Sequence, residues 1–416
     1  MLKPGTTTAS PDKLKLIGHW PQIRIEDMKY DVVIIGAGLA GLQCARLLGK
    51  TGLQVLLVDR KNSLTQKIHT TGIFVRRTLE DFDIPDHCLG PVIKHVTLYS
   101  PKLRSLDLIS PHDEFRIGRM GQLYEHYLKE CLDLGVHWIS DTSYEGYSRV
   151  AESLEIKLKV AGNPQIVTTR FLIGGDGACS RVARDLRLDE NREWIVGVEE
   201  VLTGVPWSGP PRLLCFLDPR VAPGYIAWVA ADGEETHVGV AGYAAKFDPN
   251  SALEVFRDNI RGVVELQNAT RIERRAGRIP VGGVLRKIVN TDGLLIGDAA
   301  GAVSPLTAGG LDPCMRMSTL AARVTADFLS TGDPQVLNDY SGELFRSRFT
   351  SRIWARKAAA ALNRWELAEL ACAVVRLPLA RLFAKRVFFG RGSFPDVEQS
   401  STTQQLIQPD MSEAQR

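Results

Sequence analysis

At 416 residues, with 44% hydrophobic and 24% charged residues and a formal net charge of +3, the chain has room for two or three domains. That charge is too small to attract nucleic acid by electrostatics alone. Seven cysteines, at 44, 88, 131, 179, 215, 314 and 372, form no CxxC pair and no metal-ligand spacing, so reduced core thiols, no metal and a cytoplasmic setting are expected.

Residues 1–28, interrupted by Pro4, Gly5 and Pro11, carry no signal-like apolar core and read as an irregular extension. No apolar run in the chain reaches the roughly 20 residues of a membrane-spanning helix. From Lys29 the pattern becomes strand, tight turn, helix, strand. The stretch 30–60, YDVVIIGAGLAGLQCARLLGKTGLQVLLVDR, places Gly36, Gly38 and Gly41 as GxGxxG between a buried strand at 32–35 and a helix. Gly36 permits the tight turn, Gly38 lets a pyrophosphate approach the backbone, and Gly41 lets helix and sheet pack closely. The helix N-terminus offers free amides to phosphate. A second strand, 55–58, ends at Asp59, about 20 residues beyond the glycines, where a carboxylate meets ribose hydroxyls. The same glycines also serve a purely structural βαβ unit, but the full order of elements favours a dinucleotide, either FAD or NAD.

Further along, 119–135 predicts a helix with Leu123, Tyr127, Leu128 and Leu132 on one face and Gly135 as its stop. Strands are expected at 154–160 and 166–174, and short β pieces rich in Val, Trp, Tyr and Gly from 194 to 245 read as an antiparallel sheet. An apolar strand at 293–297 runs into a Gly/Ala-rich loop and a helix near 311–330. Residues 345–390 read as helical, apolar and rich in Arg and Lys, with a break at Pro378; beyond 391 the chain is polar and expected to be disordered.

Two segments decide the cofactor. FLIGGDGACSRVAR (171–184) and LLIGDAAGAVSPLTAGGLDP (294–313) each end an apolar strand in Gly-Asp followed by small residues. With GxGxxG they resemble the glutathione-reductase-type FAD proteins, in the branch of p-hydroxybenzoate hydroxylase and the geranylgeranyl reductases, over about residues 29–345. The resemblance implies an α/β fold: a Rossmann-type FAD-binding domain (29–88, 116–188 and 286–345) interrupted by an antiparallel-sheet substrate domain (89–115 and 189–285). A helical C-terminal region (346–390) and a tail (391–416) follow. It also implies that FAD is held by Gly36, Gly38, Gly41, Asp59, Arg60, Arg119, Asp176, Gly177, Asp298, Gly310 and Leu311. In that scheme Asp298 meets the ribityl chain, its loop runs beside the flavin ring, and Arg119 sits beside the phosphates. The alternative for Asp176 and Asp298 is that they merely cap helices. The resemblance also implies NADPH or NADH as hydride donor, and since no second GxGxxG occurs it is expected to dock transiently.

Gly301 stands where aromatic hydroxylases have His, and Pro305-Leu306-Thr307 with Gly310-Leu311 resembles the geranylgeranyl reductase loop. PGYIAWVAADGEETHVGVAG (223–242) resembles the reductase segment that lines the lipid cavity. It implies a substrate-binding role for Tyr225 and Trp228, although Ile226 replaces a Tyr and Val229-Ala230-Ala231 lacks a Phe-Pro. Trp228 is equally suited to ordinary core. KIHTTGIFVRRTLEDFDIP (67–85) resembles the stretch that faces the flavin, with His69-Thr70-Thr71 where many members have Cys. His69 there is a candidate proton donor, or an ordinary hydrogen-bonding loop residue. The halogenase string WxWxIP is absent.

The expected activity is reduction of a carbon–carbon double bond in an isoprenoid or other hydrophobic substrate. An FAD monooxygenase and a non-catalytic FAD redox protein serving a partner are the alternatives. The basic C-terminal helices are read either as cover for the FAD domain with snorkelling arginines or as a peripheral membrane contact.

Overall fold

The computed structural model describes residues 29–361 and 363–390; the expected N-terminal extension and C-terminal tail lie outside them. A seven-stranded sheet carries the strand order His137–Ile139, Val55–Val58, Lys29–Ile35, Asn163–Gly174, Ser153–Val160, Thr142–Val150, with Gly293–Leu295 also paired to Asn163–Gly174. Five of these strands, His137–Ile139, Val55–Val58, Lys29–Ile35, Asn163–Gly174 and Gly293–Leu295, run parallel. Their C-terminal ends therefore share one edge of the sheet, where ligands bind in open α/β sheets.

A second seven-stranded sheet runs Thr270–Pro280, Trp194–Thr203, Thr236–Gly242, Ala227–Ala231, Arg212–Phe216, His95–Tyr99, Ser105–Ile109. Its pairs are antiparallel except Arg212–Phe216 with His95–Tyr99, which run parallel because the latter strand arrives from an earlier excursion of the chain. One face covers a core with helix Pro249–Asn259; beside the strands at 95–109 and 212–216, Val375, Ala384, Phe388 and Phe389 of the C-terminal helices complete another.

The helix expected at 119–135 spans Met120–Asp133, but its buried face is Leu123, Tyr124, Tyr127 and Cys131. Leu132 is exposed, because Cys131 occupies the position one helical turn beyond Tyr127 that packs on helix Leu39–Gly49, its thiol reaching the Leu42 carbonyl. The break expected at Pro378 is there: helix Trp365–Val375 ends just before it, and Pro378 opens Pro378–Phe389 at a position where its missing N–H costs nothing. Arg376 and Arg381 donate to the carbonyls of Arg104 and Asp107, at 2.8 and 2.7 Å, and so clasp the helices to the edge of the second sheet. No described helix is long and apolar enough to cross a membrane.

At the first turn the backbone is packed without room for side chains. A Cβ on Gly41 would lie 1.9 Å from the Gly36 carbonyl oxygen, and one on Gly36, at φ +102°, 2.3 Å from that of Gly175. A Cβ on Gly38 would meet nothing within 4 Å. Gly41→Ala is expected to destabilise the protein by about 1–3 kcal/mol, read as a lower urea midpoint. Gly38→Ala is expected to leave that midpoint near wild type. Equal midpoints for the two variants would refute the packing role of Gly41.

The candidate flavin site

The parallel strand ends open into a cavity of about 1970 Å³ that extends between the two sheets and under the C-terminal helices. Small-molecule sites usually occupy roughly 300–1000 Å³, so this space admits a dinucleotide and a second molecule together. Gly36, Gly38, Asp59, Arg60, Asp176, Gly177, Asp298, Gly310 and Leu311 all line it, as do His69, Tyr225 and Trp228. Gly41 and Arg119 are not in the lining. Gly41 lies in the helix–sheet contact described above. The Arg119 guanidinium pairs with Glu234 at 2.9 Å and donates to the His87 carbonyl at 3.3 Å.

Helix Leu39–Gly49 begins with no side-chain cap among the described residues, and the space around Gly38 is open, so its first amides are available to a ligand. Asp59, at the next strand tip, accepts from the Ala37 and Lys61 amides, each at 2.8 Å. These bonds fix the carboxylate at the cavity wall. Asp176 behaves differently. Its carboxylate accepts from Ser180 Oγ at 2.6 Å and from the Arg181 and Val182 amides at 2.7 and 3.2 Å, which caps helix Arg181–Asp185. Burial pushes its pKa up. Beside it Gly177, at φ +86° with nothing within 4 Å, leaves the backbone open to a ligand.

Asp298 has no donor on its carboxylate among the described residues; only its backbone carbonyl is bonded, by Asn191 Nδ2 at 2.8 Å. Burial alone pushes its pKa up to about 6. Gly301, in a left-handed turn at φ +70°, has no room for the His of the hydroxylases, because a Cβ there would lie 2.6 Å from the Gly283 carbonyl oxygen. Helix Leu311–Thr331 starts at Gly310, again uncapped. It is pinned by Arg316, which is almost wholly buried and bonds Asp312 at 2.9 Å and Asp81 at 2.6 Å.

On the second sheet a polar cluster absent from the sequence reading faces the cavity. The buried Glu199 carboxylate accepts from Trp228 Nε1 at 3.0 Å and from the Thr71 hydroxyl, and lies 3.1 Å from His237 Nδ1 and 3.5 Å from Arg275. Burial alone would raise its pKa, but His237, Thr71 and Arg275 together hold it below the usual carboxylate range. The Trp228 ring lies against Gly239, where a Cβ would sit 2.2 Å from it. Tyr225 donates its hydroxyl to the Thr307 carbonyl and so ties the strand-end segment to the glycine-rich loop. His69 Nδ1 lies 2.9 Å from the Ala276 carbonyl, and burial lowers its pKa. The neutral ring then keeps its hydrogen on Nδ1 and presents Nε2 as an acceptor, which suits it to take a proton rather than give one.

Free helix amides, an open glycine and an unbonded carboxyl along one wall ask for a ligand with phosphates and hydroxyls in line, and FAD has both. The fold and this wall define a flavin-dependent oxidoreductase. Residues 29–84 and 141–355 match the model described as FAD binding domain, and the chain belongs to that family. It is 26% identical over 335 residues to digeranylgeranylglycerophospholipid reductase of Methanocaldococcus jannaschii, covering 79% of this chain and 83% of the relative. It is 27% identical over 313 residues to geranylgeranyl diphosphate reductase of Rhodobacter capsulatus, covering 74% and 78%. The fold is also that of a geranylgeranyl bacteriochlorophyll reductase-like protein from Thermoplasma acidophilum. There the TM-score is 0.76 at 21% identity, covering 88% of this chain and 97% of the other.

A carboxyl whose pKa is raised on folding destabilises the folded state once it ionises. Flavin-free protein is therefore expected to lose stability as pH rises from about 4 to about 6 at Asp298. Asp298→Asn removes this loss, making flavin-free protein more stable above pH 6 by at most about 3 kcal/mol, with no gain below pH 4. Thermal unfolding across pH reads it; a gain that does not depend on pH would refute the assignment.

Proposed function

We propose that the chain is an FAD-dependent reductase that saturates a carbon–carbon double bond of an isoprenoid chain with hydride from NADPH or NADH. The observation that carries this reading is the second compartment of the cavity. Leu213, Leu217, Ile226, Ala371, Val375 and Phe388 line it with apolar surface, continuous with the glycine-rich loop at Gly309–Leu311. Such a wall suits a long hydrocarbon and excludes water from it. The two relatives named for reductases of geranylgeranyl compounds support the same substrate class. Gly36, Gly38, Asp59, Asp298 and the amides at Leu39 and Leu311 would hold the flavin, which when bound relays hydride from nicotinamide to alkene. Trp228, oriented by Glu199 and seated on Gly239, is proposed to position the chain for transfer.

The outer side of the C-terminal helices supports delivery from a lipid surface. Trp354, Leu367, Leu370, Val374, Leu377, Leu379 and Leu382 are all exposed, interspersed with exposed basic residues such as Lys357 and Arg364. Apolar side chains among cations are the composition of a helix lying on an anionic bilayer.

Anaerobic incubation of the FAD-loaded protein with reduced nicotinamide and a polyprenyl substrate is expected to give a product heavier by two hydrogens per bond reduced. A product that gains oxygen in air, and none that gains hydrogen without it, would replace the reductase by a monooxygenase. In co-sedimentation with anionic vesicles, the double substitution Leu379→Glu and Leu382→Glu is expected to weaken binding at least about tenfold, a loss of roughly 1.4 kcal/mol. Unchanged partitioning would remove the membrane contact from the proposal.

A further inference from the structure

The C-terminal helices bring four cations to the cavity wall: Arg352 and Arg356 from Thr350–Ala361, and Lys385 and Arg386 from Pro378–Phe389. Arg356 is only 4% exposed. Its Nε donates to the Tyr243 hydroxyl at 3.1 Å and its Nη1 to the Pro305 carbonyl at 3.0 Å. The guanidinium lies 5.1 and 5.9 Å from the ring centroids of Tyr243 and Tyr225. Every one of these partners is uncharged, and Nη2 has no acceptor among the described residues. A buried cation without a counter-charge is costly, and the deficit is relieved by an anion placed against it. Arg352, one helical turn earlier on the same face, is also depressed in pKa by burial. Its Nη1 lies 3.4 Å from Ser304 Oγ, which places it beside the same glycine-rich loop as Arg356.

We infer that Arg356 and Arg352 form an anion subsite within the cavity, which takes the phosphate head of an isoprenoid substrate while its hydrocarbon lies along the apolar wall. The inference rests on the isoprenoid reading above. The phosphates of FAD have their own place at the opposite sequence landmark, the uncapped helix at Gly38. Ala355, on the same helix, and Ala371 and Val375, on the next, line the cavity as well, so a head held by the arginines has apolar surface available for its tail.

The test is equilibrium binding to the FAD-loaded protein, without turnover, of a polyprenyl diphosphate, the corresponding polyprenyl alcohol, a polyprenyl glycerophospholipid and NADPH. Wild type is expected to prefer the two phosphate-bearing prenyl ligands over the alcohol by at least about tenfold. Arg356→Gln is expected to abolish that preference while alcohol affinity and FAD content stay within about twofold, and Arg356→Lys to restore part of it. A preference for the diphosphate alone or for the phospholipid alone identifies the source of the head, and either supports the subsite. No preference in wild type, a preference that survives both Arg356→Gln and Arg352→Gln, or a loss confined to NADPH would overturn it. Because no reduction is measured, failure of the reductase activity leaves this result intact, and the reverse also holds.

Discussion

Everything at the cavity's nucleotide end depends on one contact between backbones. The Gly36, Gly41 and Gly175 segments meet at distances that admit no side chain. That contact brings the N-terminus of helix Leu39–Gly49 directly over the tips of the parallel strands. Displacing the helix outward by even a methyl group would separate its free amides from Asp59, which is held to the same turn through the Ala37 amide. The strand order then does the remaining placement. Because Asn163–Gly174 lies between Lys29–Ile35 and Gly293–Leu295, the Gly-Asp tips at 175–176 and 297–298 arrive at that same edge although they are more than a hundred residues apart in sequence.

Buried charges in this molecule divide by whether the protein completes their partners. Arg316 is as buried as any side chain in the chain and has two carboxylates, so its charge is spent on holding helix Leu311–Thr331 in place. Glu199 is likewise satisfied, by Trp228, Thr71, His237 and Arg275. Asp298 and Arg356 are not. One lacks a donor and the other a counter-ion, and both line the cavity. Since an unmet buried charge is among the most destabilising features a fold can keep, the two are where the proposed flavin and anion subsites would complete the structure.

The nucleotide half was legible because its chemistry is local. GxGxxG, the strand on each side and the acid at the second tip fall within about thirty residues, and each strand-Gly-Asp tip is a contiguous string. The second compartment was not legible in the same way. Glu199 stands beside Glu200 in VGVEEVL, a string that matches no site motif. In the structure the pair is split, Glu199 turning to the cavity and Glu200 to Arg257 and Arg271. Nothing local announces that both faces of that strand are covered. Arg119 shows the converse. Its position in the motif order is right for a phosphate neighbour, yet its guanidinium is drawn off by Glu234, an exposed acid from the turn between two distant strands. Asp176 illustrates a third case, in which one carboxylate caps a helix with its side chain while its neighbour Gly177 opens the backbone to the cavity.

The C-terminal helices follow from the same division of surfaces. Arg376 and Arg381 are spent on carbonyls of the second sheet's edge, which fixes the helices in place and leaves fewer of their cations for anything else. What remains is sorted by face: Arg352 and Arg356 inward with the cavity, the exposed leucines outward. A helix layer built only to cover a domain has no use for bare leucines outside and, inside, a buried Arg356 whose described partners are all uncharged. Both become favourable at once when the layer lies between a lipid surface and a cavity that accepts an amphiphile, because each face then meets the part of the molecule, hydrocarbon or phosphate, that it lacks.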